Sequence, residues 1–188
     1  MFNTTVSGSG PVLVWAHGLM HSMDFETRTG WFHPTENDGV CRVRYDTRGH
    51  GHSPGGTDSA AYLWSAQADD LLAIASAHTA LPRALGGHSM GAACALLAAL
   101  KSPELTSCLI LATPPTAWQT RSRQVRRYRQ MQRIIEQRGL ASLVNLTMQN
   151  PALPEWLLQA HPQHAAASQQ ALSGMHAPTL TAILEAAC

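Results

Sequence analysis

The sequence predicts an α/β chain in which a mostly parallel sheet with flanking helices is followed, after about residue 115, by helices alone. Short, largely apolar runs, the first of them continuously so as in a strand buried on both faces, end at His17-Gly18, Asp46, Ser89 and Thr113. Longer stretches between them carry apolar residues at helical spacing, and no strand signal returns after Ala112. Strands alternating with helices at this pitch imply parallel pairing, with functional loops gathered at the carboxyl ends of the strands.

Residues 12–16, VLVWA, form the first such strand and open into His17-Gly18. Residues 40–45, VCRVRY, form the second and end at Asp46 and a glycine-rich loop running from Arg48 to Gly56. From Tyr62 to about Ala80 a helix is predicted by Leu63, Ala66, Leu71, Ile74 and Ala77. The run 84–88 then reads as a short strand entering a tight turn, and Met90 to Leu100 as an almost wholly apolar helix that needs cover on most of its surface. Residues 107–112, SCLILA, make one more buried strand, stopped by Thr113-Pro114-Pro115.

The remainder is helical. Residues 121–138 hold seven arginines and one glutamate, with Val125, Tyr128, Met131, Ile134 and Ile135 forming an apolar stripe, so a helix with a basic face is expected there. Such a face could meet an acidic ligand or a membrane, although a solvated surface is the simpler account. Shorter helices follow, divided by Pro151, Pro154, Pro162 and Pro178.

A chain of 188 residues supports one core of ordinary size. Its net charge of +1 gives no global field for nucleic acid or an anionic membrane, and neither a leader peptide nor a bilayer-spanning run is legible, so a cytoplasmic location is expected. Cys41, Cys94, Cys108 and Cys188 show no metal-site spacing, and Cys94 and Cys108 lie in apolar runs where buried thiols are expected.

Gly87-His88-Ser89-Met90-Gly91 has the pattern G-x-S-x-G between a predicted strand and an apolar helix. The flanking glycines permit a sharp turn without a side-chain clash, holding the Ser89 hydroxyl above the sheet on a strained backbone with the Met90 amide at the helix start. Two other segments accompany it: Trp15-Ala16-His17-Gly18-Leu19-Met20, and Asp46-Thr47-Arg48-Gly49-His50-Gly51-His52-Ser53.

With these segments in this order, residues 1–118 resemble the α/β-hydrolase superfamily, in its capped esterase, lactonase, haloperoxidase-like and C–C hydrolase branch. The resemblance implies a partial α/β-hydrolase core over 1–118 and a helical cap over 119–188. It implies Ser89 as nucleophile, with the Leu19 and Met90 amides as oxyanion donors, and a mainly structural role for the Asp46 loop. No metal or organic cofactor is called for. The partner is a small apolar or aromatic acyl substrate, with Trp118 and Trp156 shaping its pocket or filling core, and neither nucleic acid nor membrane is implied.

The histidines have structural readings. His17 orders the oxyanion loop, His50 and His52 hydrogen-bond within their own loop, and His88 projects away from Ser89, while His161, His164 and His176 face solvent. Asp46, Asp69 and Asp70 satisfy backbone and arginine partners, and Asp24 and His33 fall near the pocket mouth. A triad also needs an acid and then a histidine after the serine. Glu104, Glu136, Glu155 and Glu185 follow no strand, and Thr113 stands where some members of the superfamily place the acid. The sequence therefore reads as a truncated member whose strand 107–112 is an uncovered edge. The alternative is a non-catalytic relic or interaction protein that keeps the half-fold. A nucleotide-binding domain is disfavoured, since the glycines surround a serine and no P-loop lysine is present.

Overall fold

The computed structural model describes residues 1–32, 39–78, 83–115 and 117–188; His33 and the predicted end of the helix at Ala80 lie outside them. Five strands form one sheet: β1 (Thr4–Ser7), β2 (Val12–Ala16), β3 (Cys41–Tyr45), β4 (Arg83–His88) and β5 (Thr106–Ala112), in the order β1-β3-β2-β4-β5. All neighbours are parallel except β1, which runs antiparallel to β3 with Thr4 opposite Tyr45. The sheet is thus mostly parallel, as predicted, with one strand added.

The β1 strand escapes the sequence pattern because three of its four residues are exposed and two are threonine, leaving no apolar run to mark it. The six-residue helix α1 (Met23–Arg28) escapes for its shortness, although Ser22 caps it by accepting from the Phe25 amide (3.1 Å). The helices α2 (Trp64–His78) and α3 (Met90–Lys101) flank the sheet. Val14, Ala16, Val43, Tyr45, Leu71, Leu85, Ala95 and Ala98 pack as one buried layer between them and the strands.

Two expectations about burial need correction. The strand β5 pairs with β4 on one side alone among the described residues, the uncovered edge expected for 107–112, and Ser107, Cys108, Ile110 and Leu111 on it are exposed, so neither the strand nor the Cys108 thiol is buried as their apolar run suggests. The helix α3 beside it is uncovered at Leu96 and Leu100 (70% exposed). An apolar run reports that a strand can be buried on both faces, and the neighbours that would bury it are a separate matter. Cys94 does lie buried, and desolvation pushes its thiol up to about 12, which makes it inert.

Five helices complete the chain: α4 (Trp118–Arg138), α5 (Leu140–Gln149), α6 (Glu155–Ala160), α7 (Gln163–Ser173) and α8 (Ala177–Ala186). The apolar stripe of α4, with Tyr128, Met131 and Ile135, packs with Leu143 and Val144 of α5 and with Leu180, Ile183 and Leu184 of α8. The same cluster includes Leu19 and Met90, so these helices roof the carboxyl ends of β2 and β4. No helix among the described residues is long and apolar enough to cross a membrane.

Candidate active site

Ser89 sits between β4 and α3 with φ 53° and ψ −112°, a conformation costly for a residue with a side chain. Its amide donates to the Ala112 carbonyl at the end of β5 (3.0 Å), and its carbonyl accepts from Ala93 (3.2 Å), so strand and helix together hold the turn. The glycines around it serve close approach, not positive φ. A Cβ on Gly91 would stand 2.0 Å from the Ala16 carbonyl oxygen, and one on Gly87 would stand 2.3 Å from the Gly91 carbonyl carbon. The first turn of α3 thereby lies directly against the end of β2, where the His17–Met20 loop begins.

That loop is fixed by two buried histidines. His17 Nδ1 donates to the Gly18 carbonyl (2.8 Å) and Nε2 accepts from the Thr47 amide (3.0 Å). His50 Nδ1 faces the Arg48 carbonyl (3.0 Å) and Nε2 accepts from the Met20 amide (3.2 Å). Each ring is satisfied only in its neutral form. Burial drives His17 down to about 4 and His50 to about 3. Met20 takes a positive φ of 60°, and its amide is spent on His50, whereas the neighbouring Leu19 amide and the Met90 amide at the start of α3 have no hydrogen-bond partner among the described residues.

Asp46 follows β3 and is buried with three donors on its carboxylate: the Met23 amide (2.8 Å), Asn3 Nδ2 (2.7 Å) and the His52 amide (2.9 Å). Asp70 pairs with Arg48 (2.7 Å) and Asp69 with Lys101 (2.6 Å), so these aspartates hold local structure, as read from the sequence. His88 projects away from the serine turn, its ring 4.6 Å from that of Trp31 and 5.2 Å from that of His21. His161 and His176 are exposed; His164 is half-buried and contacts the His161 ring, which corrects its placement in solvent. None of these histidines hydrogen-bonds Ser89 among the described residues. Trp156 is 68% exposed and so fills no core, and the Trp118 side chain lies outside what is described. Asp24 lines a cavity of about 540 Å³ with Asn3, Asp46, His52 and Gln170, a space that includes none of Ser89, Leu19 and Met90.

Sequence reasoning missed Glu26. It is buried on α1, accepts from Trp15 Nε1 (2.9 Å) and lies 3.7 Å from Arg44. Burial outweighs these partners and raises its carboxyl to about 7. The available signal was the Ser22 cap with acidic residues in the turn that follows.

Glu26 and the histidines oppose each other in pH dependence. The folded state binds Glu26's proton more tightly than the unfolded chain does, so that contribution is complete below about 4.5 and is lost as pH rises through about 7. His17 and His50 contribute above about 6.5 and lose it as pH falls toward about 4 and 3. Each proton changes stability by about 1.4 kcal/mol per pH unit within its window. Urea midpoints measured across pH are expected to peak near 6.5, and Glu26→Gln is expected to abolish the decline between 6.5 and 7.

Comparison with known proteins places this geometry in context. Residues 10–187 match the family model described as serine aminopeptidase S33. No curated protein matches the sequence. Among solved structures, the chain is similar to a thermophilic esterase from Thermogutta terrifontis with malate bound, at 21% identity and TM-score 0.76, covering 97% of this chain and 64% of that one. It is likewise similar to a hydrolase from Pseudomonas aeruginosa PA01, at 18% identity and TM-score 0.78, covering 97% and 66%. A third is the enol-lactonase from Burkholderia xenovorans LB400, at 17% identity and TM-score 0.74, covering 98% and 69%. At these identities the likeness is one of fold, and the chain spans about two thirds of each structure's length.

Proposed function

The chain belongs to the serine aminopeptidase S33 family and holds part of an α/β-hydrolase fold with a helical cap, and from that premise we propose that it carries the acyl-transfer half of a serine hydrolase site. Ser89 Oγ attacks the carbonyl carbon of an ester or lactone, and the carbonyl π electrons move onto oxygen. The amides of Leu19 and Met90 receive that oxyanion, and the C–O bond to the leaving alkoxide then breaks to leave Ser89 acylated. The observation that carries this reading is the positive φ of Ser89 at the β4–α3 junction, beside two uncommitted amides.

The proton released by Ser89 needs a histidine oriented by a carboxylate. This reading assigns that pair to residues outside the 188 of this chain. The substrate is a small acyl compound with an apolar or aromatic body, since Leu19 and Met90 stand among Tyr128, Met131, Leu180 and Ile183. A non-catalytic half-fold is the competing reading, favoured by the lack of a hydrogen-bonded base at Ser89 among the described residues.

A fluorophosphonate probe separates the two. Hydrolase sites lacking triad members keep about 10³–10⁴-fold of their advantage over water from the oxyanion hole and binding. Intact mass and peptide mapping are therefore expected to show slow, single labelling at Ser89 in the folded chain, lost in Ser89→Ala and after denaturation. Labelling no faster at Ser89 than at exposed serines would leave the non-catalytic reading.

A further inference from the structure

The whole-chain charge of +1 conceals a strongly uneven distribution. Between Trp118 and Arg138 the helix α4 carries seven arginines against Glu136 alone, a local charge of +6, which leaves −5 on the rest of the chain. Arg121 turns inward, where its guanidinium stacks on Trp64 (4.5 Å) and donates to the Ala187 carbonyl. Arg123, Arg126, Arg127, Arg129 and Arg133 are all exposed, border one shallow groove with Gln130, and have no ion pair or hydrogen bond among the described residues. They extend over about 15 Å of helix.

We propose that this outer face of α4 is an electrostatic docking surface for an anionic phospholipid bilayer. Charge complementarity selects a dense array of phosphates, and arginine offers a planar fork for each. The helix cannot insert as a free amphipathic segment, because Tyr128, Met131 and Ile135 on its opposite face are buried against α5 and α8. Docking is therefore at headgroup level and sensitive to salt. A nucleic acid fits less well. Tyr128 is the one aromatic residue between 121 and 138, and its burial leaves no ring on which a base could stack.

Co-sedimentation with phosphatidylcholine vesicles containing about 30% phosphatidylglycerol tests this, with pure phosphatidylcholine vesicles and a short DNA duplex as parallel probes. Each exposed arginine is worth about a fivefold factor at an anionic surface, so the Arg126→Gln, Arg129→Gln, Arg133→Gln variant is expected to bind roughly 100-fold more weakly. These side chains are exposed and make no hydrogen bond or ion pair among the described residues, so the far-UV circular dichroism of the variant stays that of the parent. Binding is expected to the anionic vesicles alone and to vanish near 0.5 M salt, where screening is down to about 4 Å. Absence of vesicle binding, equal binding to neutral vesicles, or an unaffected triple variant overturns the proposal. Tighter binding to the duplex than to the anionic vesicles at equal phosphate also overturns it, in favour of a nucleic-acid surface.

Discussion

Gly91→Ala is expected to yield little or no soluble folded protein, whereas Gly56→Ala is expected to behave as the parent. The added Cβ at position 91 would stand 2.0 Å from the Ala16 carbonyl oxygen and 2.5 Å from its carbon. Those are backbone atoms of the central strand β2, which pairs with β3 and β4 on its two sides, so no side-chain rotation can relieve the contact. Overpacking a core commonly costs about 1–3 kcal/mol when side chains can yield, and a clash against paired backbone exceeds that range. The remaining margin of a domain stable by about 5–15 kcal/mol is small, especially with Leu96, Leu100, Ile110 and Leu111 exposed. At Gly56 nothing lies within 4 Å of the new Cβ, and the change is expected to stay within about 1 kcal/mol. Soluble yield and urea midpoints of the two variants, side by side, measure the difference. Equal behaviour would mean that α3 does not rest on the end of β2 as described.

The same contact shows why the sequence was informative here. A serine with glycines at both flanks specifies a local geometry, because only residues without side chains let a strand, a turn and a helix start come so close. The Ser89 turn, the sheet's parallel strands and the cap helices were legible for that reason, each being encoded by neighbours in sequence. What was not legible depends on distant partners. Whether β5 is covered is decided by which strand pairs beyond it: the run 106–112 by itself reads as buried, and only the lack of a later strand signal marked it as an uncovered edge. His50 offers a second case: its own loop suggests a local hydrogen bond, and the structure does give it the Arg48 carbonyl, but its other nitrogen holds the Met20 amide across the site. Glu26 is a third, since a carboxylate on a short helix reads as solvated until Trp15 and Arg44 are seen around it.

Asp46 combines both kinds of information, and Asp46→Ala is expected to cost about 2–4 kcal/mol. Its position after β3 is readable from the sequence, but its partners come from the N-terminal segment, from the first residue of α1 and from its own loop: Asn3, Met23 and His52. Removing the carboxylate leaves the buried Met23 amide unpaired, worth about 1–3 kcal/mol, and turns the part-buried Asn3 and His52 donors to water. It also frees the loop that carries His50, and with it the anchor on the Met20 amide. Asp46→Asn separates shape from charge. With its oxygen toward Met23 the new side chain offers NH2 to Asn3, which can flip to accept, and to the His52 amide, which cannot; with its oxygen toward Asn3 and His52 it leaves the Met23 amide facing NH2, so one backbone donor is lost either way. A loss of about 1–2 kcal/mol is therefore expected for the amide, between parent and alanine, with hydrogen exchange accelerated at one of His52 and Met23 and not at both. An asparagine variant as stable as the parent would show that the lost backbone bond contributes nothing to holding the loop. Faster exchange at both would show that the carboxylate's charge, and not the count of its acceptors, holds Met23 and the His52 loop.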